Sequence, residues 1–122
     1  MVKITSLKDM EIYQDSLKLV KLVFELCKQP PIRRELFLCD QLKRASVSVS
    51  ANIAEGYGRR TKPDFAHFLS VALGSCNEVL ALIDVVSVTT NGTKTDNISE
   101  AYTILGRRIY TFRTKLSNLS HN

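Results

Sequence analysis

The segment from Leu38 to Gly56 has the apolar spacing of a helix, although part of it resembles a strand. Serine and valine alternate from Ser46 to Ser50, which is typical of a half-buried strand. Over the longer window, apolar and small residues recur at steps of four and three, and no turn residues flank the alternating stretch. The sequence therefore predicts a helix here, because burial of one stripe outweighs the modest helix propensity of serine and valine.

A first helix is predicted upstream of this segment. Ser6 followed by Asp9 matches a reciprocal cap and indicates a helix start. Two adjacent apolar stripes then run to Cys27, which is a face wide enough for a helix bundle. Pro30 and Pro31 end the helix, because proline disfavours helical backbone before it and lacks an N–H donor.

Two more helices are predicted downstream. Thr61 and Asp64 supply a cap for the third, whose apolar row continues to Val86 before a polar loop at Asn91-Gly92. The fourth is expected to begin near Asn97 and to continue to Leu119. Four amphipathic helices with short connections predict an all-α, up-down-up-down four-helix bundle that forms one domain over residues 1–122.

Composition and charge narrow the class of protein. No uninterrupted apolar run reaches the length of a membrane span, and charge appears too early for a signal peptide, so we expect a cytoplasmic protein without a membrane partner. Three cysteines without CxxC spacing favour buried thiols over disulfides or a metal site, and no cofactor is expected. The net charge of +5 favours acidic partners such as nucleic acid.

A polar stripe runs along the second helix. Its members, at steps of four, four, three and four residues, are Arg44, Ser48, Asn52, Glu55 and Arg59. The stripe fits a solvated or intersubunit face better than a ligand site. Asn52 also lies on the apolar row, where a buried amide needs partners, and Glu78 on the third helix is a candidate.

Two segments resemble a known family: "QLKRASVSVSANIAEGYGRR" and "FAHFLSVALGSCNEVLALI". They are similar to the four-helix-bundle family found as open reading frames in intervening sequences of bacterial 23S rRNA genes. The matching positions are Gln41, Arg44, Ala45, Ser48, Asn52 to Gly56, Arg59, Phe65, Phe68, Leu69, Ala72, Gly74, Ser75 and Glu78. Tyr13 stands where the family usually has tryptophan, and it keeps a ring that can pack.

The resemblance implies a fold and an assembly. By similarity to accessory proteins of diversity-generating retroelements, it implies a ring of five subunits whose basic surface engages nucleic acid and a reverse transcriptase. It implies no enzyme activity. The residues agree on this last point, because neither histidine has an acid and a nucleophile in a recognisable arrangement, and Gly56-Tyr57-Gly58 is typical of a helix end rather than a phosphate cradle.

The predicted topology gathers cations at one end of the bundle. The connection between the second and third helices lies at the same end as the C-terminus of the fourth. This basic end comprises Arg59, Arg60, Lys62, Arg113 and Lys115. We therefore expect a non-enzymatic homo-oligomer, a pentamer as the resemblance implies, that contacts RNA or DNA through these cations. The alternative is an oligomeric protein-interaction scaffold that does not bind nucleic acid.

Overall fold

The computed structural model describes residues 6–119, which form four α-helices and two single-turn 3-10 helices. The α-helices are α1 (Glu11–Leu26), α2 (Leu36–Tyr57), α3 (Lys62–Thr89) and α4 (Asp96–Leu119), and the 3-10 turns are Leu7–Asp9 and Ile32–Arg34. No strand occurs within this range. The all-α prediction is confirmed for the described chain.

Helix α1 begins later than its predicted cap. Ser6 precedes the 3-10 turn Leu7–Asp9 and makes no side-chain cap bond to it. Met10 then adopts an extended conformation, with φ −76° and ψ 121°, and its side chain is buried in the core. The α-helix therefore starts at Glu11, and the prediction of an α-helix capped by Ser6 is wrong.

Helix α2 passes through the alternating segment, as predicted. A strand would place Val47 and Val49 on the same face, whereas the side chain of Val49 is 0% exposed and that of Val47 is 46% exposed. Ser50 Oγ donates to Ser16 Oγ at 2.9 Å, and Ser46 Oγ donates to the Lys43 carbonyl at 2.8 Å. The small hydroxyls thus lie in the interface with their hydrogen bonds made inside the protein.

Helix α3 is capped as predicted and is the most apolar of the four. Thr61 Oγ1 accepts a hydrogen bond from the Asp64 amide at 3.2 Å. The predicted apolar row is buried over Leu69, Ala72, Cys76, Val79, Ile83 and Val86. By length and composition alone α3 could cross a membrane, although it has no uninterrupted apolar run of that length, and only 33% of its most apolar 18-residue window is buried.

The last connection and α4 agree closely with the sequence pattern. Gly92 has φ +89°, a conformation that favours glycine, and it lies in the loop between α3 and α4 rather than in a hairpin. Helix α4 begins at Asp96, one residue before the expected start. Its buried positions include Ile98, Tyr102 and Ile109.

The helices form a bundle around one core. Their main packing contacts join α1 to α2, α2 to α3, α3 to α4, and α4 to α1, so α1 and α3 lie on opposite sides of the bundle. The three cysteines, Cys27, Cys39 and Cys76, are buried free thiols, which confirms that expectation. Burial raises the pKa of the Cys76 thiol to about 12.

Candidate nucleic-acid interface

The start of α3 packs directly on the end of α2, and Gly56 allows this close approach. A Cβ atom on Gly56 would lie 2.8 Å from Phe65 Cδ1 and 2.9 Å from Phe68 Cβ. Gly58, in contrast, has φ −78° and would meet only ordinary contacts at 3.6 Å or more. Glycine at position 56 therefore allows the tight packing at the turn between α2 and α3. Helix α2 ends at Tyr57, within the segment Gly56-Tyr57-Gly58 that was predicted to be a helix end.

We expect Gly56→Ala to destabilise the protein by about 1 to 3 kcal/mol, because the added methyl group overpacks the contact with the two phenylalanines. Gly58→Ala is the matched control and should change the free energy of unfolding by less than about 0.5 kcal/mol. Urea unfolding of the two variants measures both values. Equal stability of the two variants would show that the close approach does not depend on glycine.

Aromatic rings bring the end of α4 to the same place. The Phe65 ring lies 5.6 Å from the Phe112 ring and 6.4 Å from the Tyr57 ring, centroid to centroid. Both distances are within the range in which aromatic pairs attract. The cluster joins the last part of α4 to the turn between α2 and α3, so the two basic segments lie near the same rings.

The three cations around the turn are held differently. The Arg59 guanidinium pairs with Glu55 at 2.5 Å and lies 4.6 Å from the centroid of the Phe68 ring. Arg60 and Lys62 are exposed, and neither forms an ion pair with any residue from 6 to 119. Arg60 and Lys62 thus remain available for an outside anion, whereas Arg59 is partly neutralised and fixed in place.

The two cations of α4 lie on different sides of that helix. Arg113 Nη1 donates to Ser70 Oγ on α3 at 3.2 Å, and its guanidinium lies 5.3 Å from the Tyr110 ring centroid. Arg113 Nε is buried and has no hydrogen-bond partner among the described residues. Lys115 is exposed and lies two helical turns after Arg108, on the same side of α4. Arg108 donates a hydrogen bond to the Asp15 carboxylate on α1. Arg113 therefore lies on the α3 side of α4 and Lys115 on the α1 side.

The polar stripe of α2 divides into three local groups. Arg44 pairs with Asp40 at 3.1 Å, and both side chains are exposed. Asn52 donates its side-chain amide to the carbonyl and hydroxyl oxygens of Ser48, at 2.8 and 3.1 Å, and Ser48 Oγ lies 2.9 Å from Ser75 Oγ. The remaining group is the Glu55 and Arg59 pair.

Asn52 does have polar partners, but Glu78 is not among them. Glu78 is exposed in the single chain, and within residues 6–119 it forms no ion pair. The expectation that Glu78 supports Asn52 inside the bundle is not met, because Ser75 lies level with Ser48 and completes that polar group. A role for Glu78 at a surface between subunits stays a prediction.

The sequence did not reveal the side chains that hold the arginines. Phe68 and Tyr110 supply ring faces, and Ser70 supplies a hydroxyl oxygen. The sequence did contain one indication of these contacts. Phe68 and Ser70 lie in the first turns of α3, next to the turn that carries Arg59. No group of three or more His, Cys, Asp or Glu side chains that could hold a metal ion occurs in the described part of the chain.

One protein-family model matches most of the chain. Residues 8–111, which include all four helices except the end of α4, match the model of the 23S rRNA-intervening sequence protein. The chain belongs to this family. Among curated proteins, none matches the chain in sequence. The match to the 23S rRNA-intervening sequence protein family spans the turn between α2 and α3, with Arg59, Arg60 and Lys62, and excludes Arg113 and Lys115.

Proposed function

We propose that the chain is a non-enzymatic, homo-oligomeric bundle that binds RNA or DNA through the basic end. The observation that carries the proposal is the pair of exposed cations, Arg60 and Lys62, on a turn that Gly56 and the packed aromatic rings hold in place. A turn whose backbone is held by packing loses less freedom on binding than a mobile segment does. The net charge of +5 also favours an acidic partner such as nucleic acid.

The up-down-up-down topology is part of this proposal. Ser48 of α2 meets Ser75 of α3, and Gly56, further along α2, meets Phe65 near the start of α3. Such pairs are expected of antiparallel neighbours. In that topology the turn between α2 and α3 lies at the same end as the C-terminus of α4, which supports a single basic end.

The proposed contact is with phosphates rather than with base edges. The lysine and arginine side chains of the exposed turn can reach backbone oxygens, whereas the polar side chains along α2 are engaged in contacts within the subunit. We therefore propose weak sequence preference. A pentamer is the assembly that the resemblance to accessory proteins of diversity-generating retroelements implies, and five subunits would repeat a small charge excess around one ring, where phosphate contacts add to affinity.

Fluorescence anisotropy with labelled structured RNA, single-stranded DNA and duplex DNA tests the proposal, with light scattering to give the mass of the free protein. We expect binding to at least one of them at low salt, and a free mass that is a multiple of 13.7 kDa. Absence of binding to all three nucleic acids would overturn the proposed contact and would support the protein-interaction scaffold.

A further inference from the structure

Helix α3 presents an apolar face to the outside of the bundle. Opposite its buried row, Val71, Val85 and Val88 are exposed, and Val88 is 82% exposed. Gly74 and Ala81 are exposed on the same side. A helix of this hydropathy with a third of its most apolar window buried leaves apolar surface that another molecule can cover.

The charges on this outer face of α3 are negative. Between Pro63 and Thr93 the chain has no lysine or arginine, and the two charged residues of the central and last turns are Glu78 and Asp84. Both are exposed, and neither forms an ion pair within residues 6–119. A partner for this face should therefore combine apolar side chains with positive charge.

Helix α1 presents a face with that composition. Leu17, Lys21 and Phe24 follow one another at steps of four and three residues, Lys28 lies in the turn just after the end of α1, and all four are exposed. Lys18 and Glu25 lie beside this row, so the face keeps an excess of positive charge. The outer face of α1 is thus apolar and basic, whereas the outer face of α3 is apolar and acidic.

The two faces cannot meet within one chain. Both α1 and α3 pack mainly against α2 and α4, so they occupy opposite sides of the bundle and their outer faces point in opposite directions. Two different, complementary faces on opposite sides of a subunit produce head-to-tail contacts between copies, and these close into a ring when the rotation permits.

We infer that the outer face of α3 in one copy docks on the outer face of α1 in the next. The inference rests on the proposed homo-oligomeric state and names the two surfaces that create it. Gly74 adds support, because a Cβ atom there would meet nothing within 4 Å in the single chain. Nothing within the subunit needs glycine at this mid-helix position, where glycine is less favourable than alanine, whereas the close approach of a neighbouring helix would need it.

Charge reversal on the two faces tests the inference by light scattering. The first variant, Lys21→Glu with Lys28→Glu, makes the α1 face acidic, and the second, Glu78→Lys with Asp84→Lys, makes the α3 face basic. Each variant alone sets like charges against each other, so we expect its mass to fall to that of a single 13.7 kDa chain. All four changes in one chain restore opposite charges and should restore the mass of the wild type.

Two controls separate assembly from folding. Arg33→Glu with Arg34→Glu changes the charge as much as the first variant does, at exposed residues outside both faces, and should leave the mass unchanged. Gly74→Leu should lower the mass of the assembly while the helix content measured by circular dichroism stays the same, because the single chain has room for the side chain.

The possible failures are distinguishable. A wild type that has the mass of one chain would overturn the proposed homo-oligomer itself. An oligomeric wild type whose charge-reversed variants keep their mass would overturn only the assignment of these faces. Loss of assembly in both variants without recovery in the combined chain would also overturn the pairing of α3 with α1. Wild-type single chains that float with neutral lipid vesicles would assign the α3 face to a membrane instead.

Discussion

Nucleic-acid binding is expected to weaken by roughly 10³-fold to 10⁵-fold between 50 and 200 mM salt if the protein is a pentamer. Each phosphate that a cation neutralises releases counterions, so the logarithm of affinity falls with the logarithm of salt at about 0.9 per contact. Five copies of Arg60 and Lys62 can neutralise up to about ten phosphates. This number is at the upper end of the range of phosphate contacts for which such a loss of affinity is expected. A single chain with only these two cations should lose only about tenfold over the same interval.

Removal of the cations at the turn between α2 and α3 should make nucleic-acid binding less dependent on salt. Replacing Arg59, Arg60 and Lys62 together by glutamine should weaken binding and flatten the slope roughly in proportion to the number of phosphates that are no longer neutralised. Arg59→Gln alone should have the smaller effect, because Arg59 already pairs with Glu55 and stacks on Phe68. A triple variant with the affinity and slope of the wild type would show that the nucleic acid binds elsewhere.

Alkaline pH should destabilise the wild type more than a variant without the Cys76 thiol. The Cys76 pKa rises from 9.0 to about 12 in the folded chain, because burial disfavours the thiolate. Below pH 9 the thiol is neutral in both states, so its contribution is complete there. Above pH 9 only the unfolded chain releases the proton, and the contribution is lost as the pH rises towards 12.

The expected loss is about 3 kcal/mol of unfolding free energy at pH 11 relative to pH 8, from a shift of this size. Urea unfolding of the wild type and of Cys76→Ala at the two pH values measures the effect of the thiol, including the contribution that Cys76 makes to the raised pKa of Tyr102. Cys76→Ala is less stable at pH 8 through the cavity it creates, but the difference between the chains should shrink at pH 11. Parallel pH profiles would contradict the burial of this thiol.

The sequence predicted the helices because apolar periodicity is read directly from residue order. The spacing of Val49 with Leu42 and Leu38 correctly outweighed the local alternation that includes Val47. The start of α1 was missed because the Ser6 signal also fits a short 3-10 turn, and the extended conformation of Met10 depends on its burial against distant residues. Local signals predict elements better than their ends.

The details of the candidate site depend on contacts between helices, which residue order does not specify. The sequence identified Arg59 and Arg113 as cations, but the rings of Phe68 and Tyr110 that face them come from the packed bundle. Likewise, Asn52 was expected to reach across to Glu78, whereas the helix register brings Ser75 level with Ser48. Gly56 was assigned to a helix end because the close approach of Phe65 is visible only in three dimensions.

A comparison of two double variants tests most directly whether nucleic acid binds at the basic end. Arg60→Gln with Lys62→Gln and Arg33→Gln with Arg34→Gln remove the same charge from exposed positions, the first pair at the turn between α2 and α3 and the second next to the start of α2. Fluorescence anisotropy of both variants with the best-bound nucleic acid, measured across a salt series, should show weaker binding and a flatter slope for the first pair and a smaller, general loss for the second. Equal losses for the two pairs, or a greater loss for the second, would contradict the account.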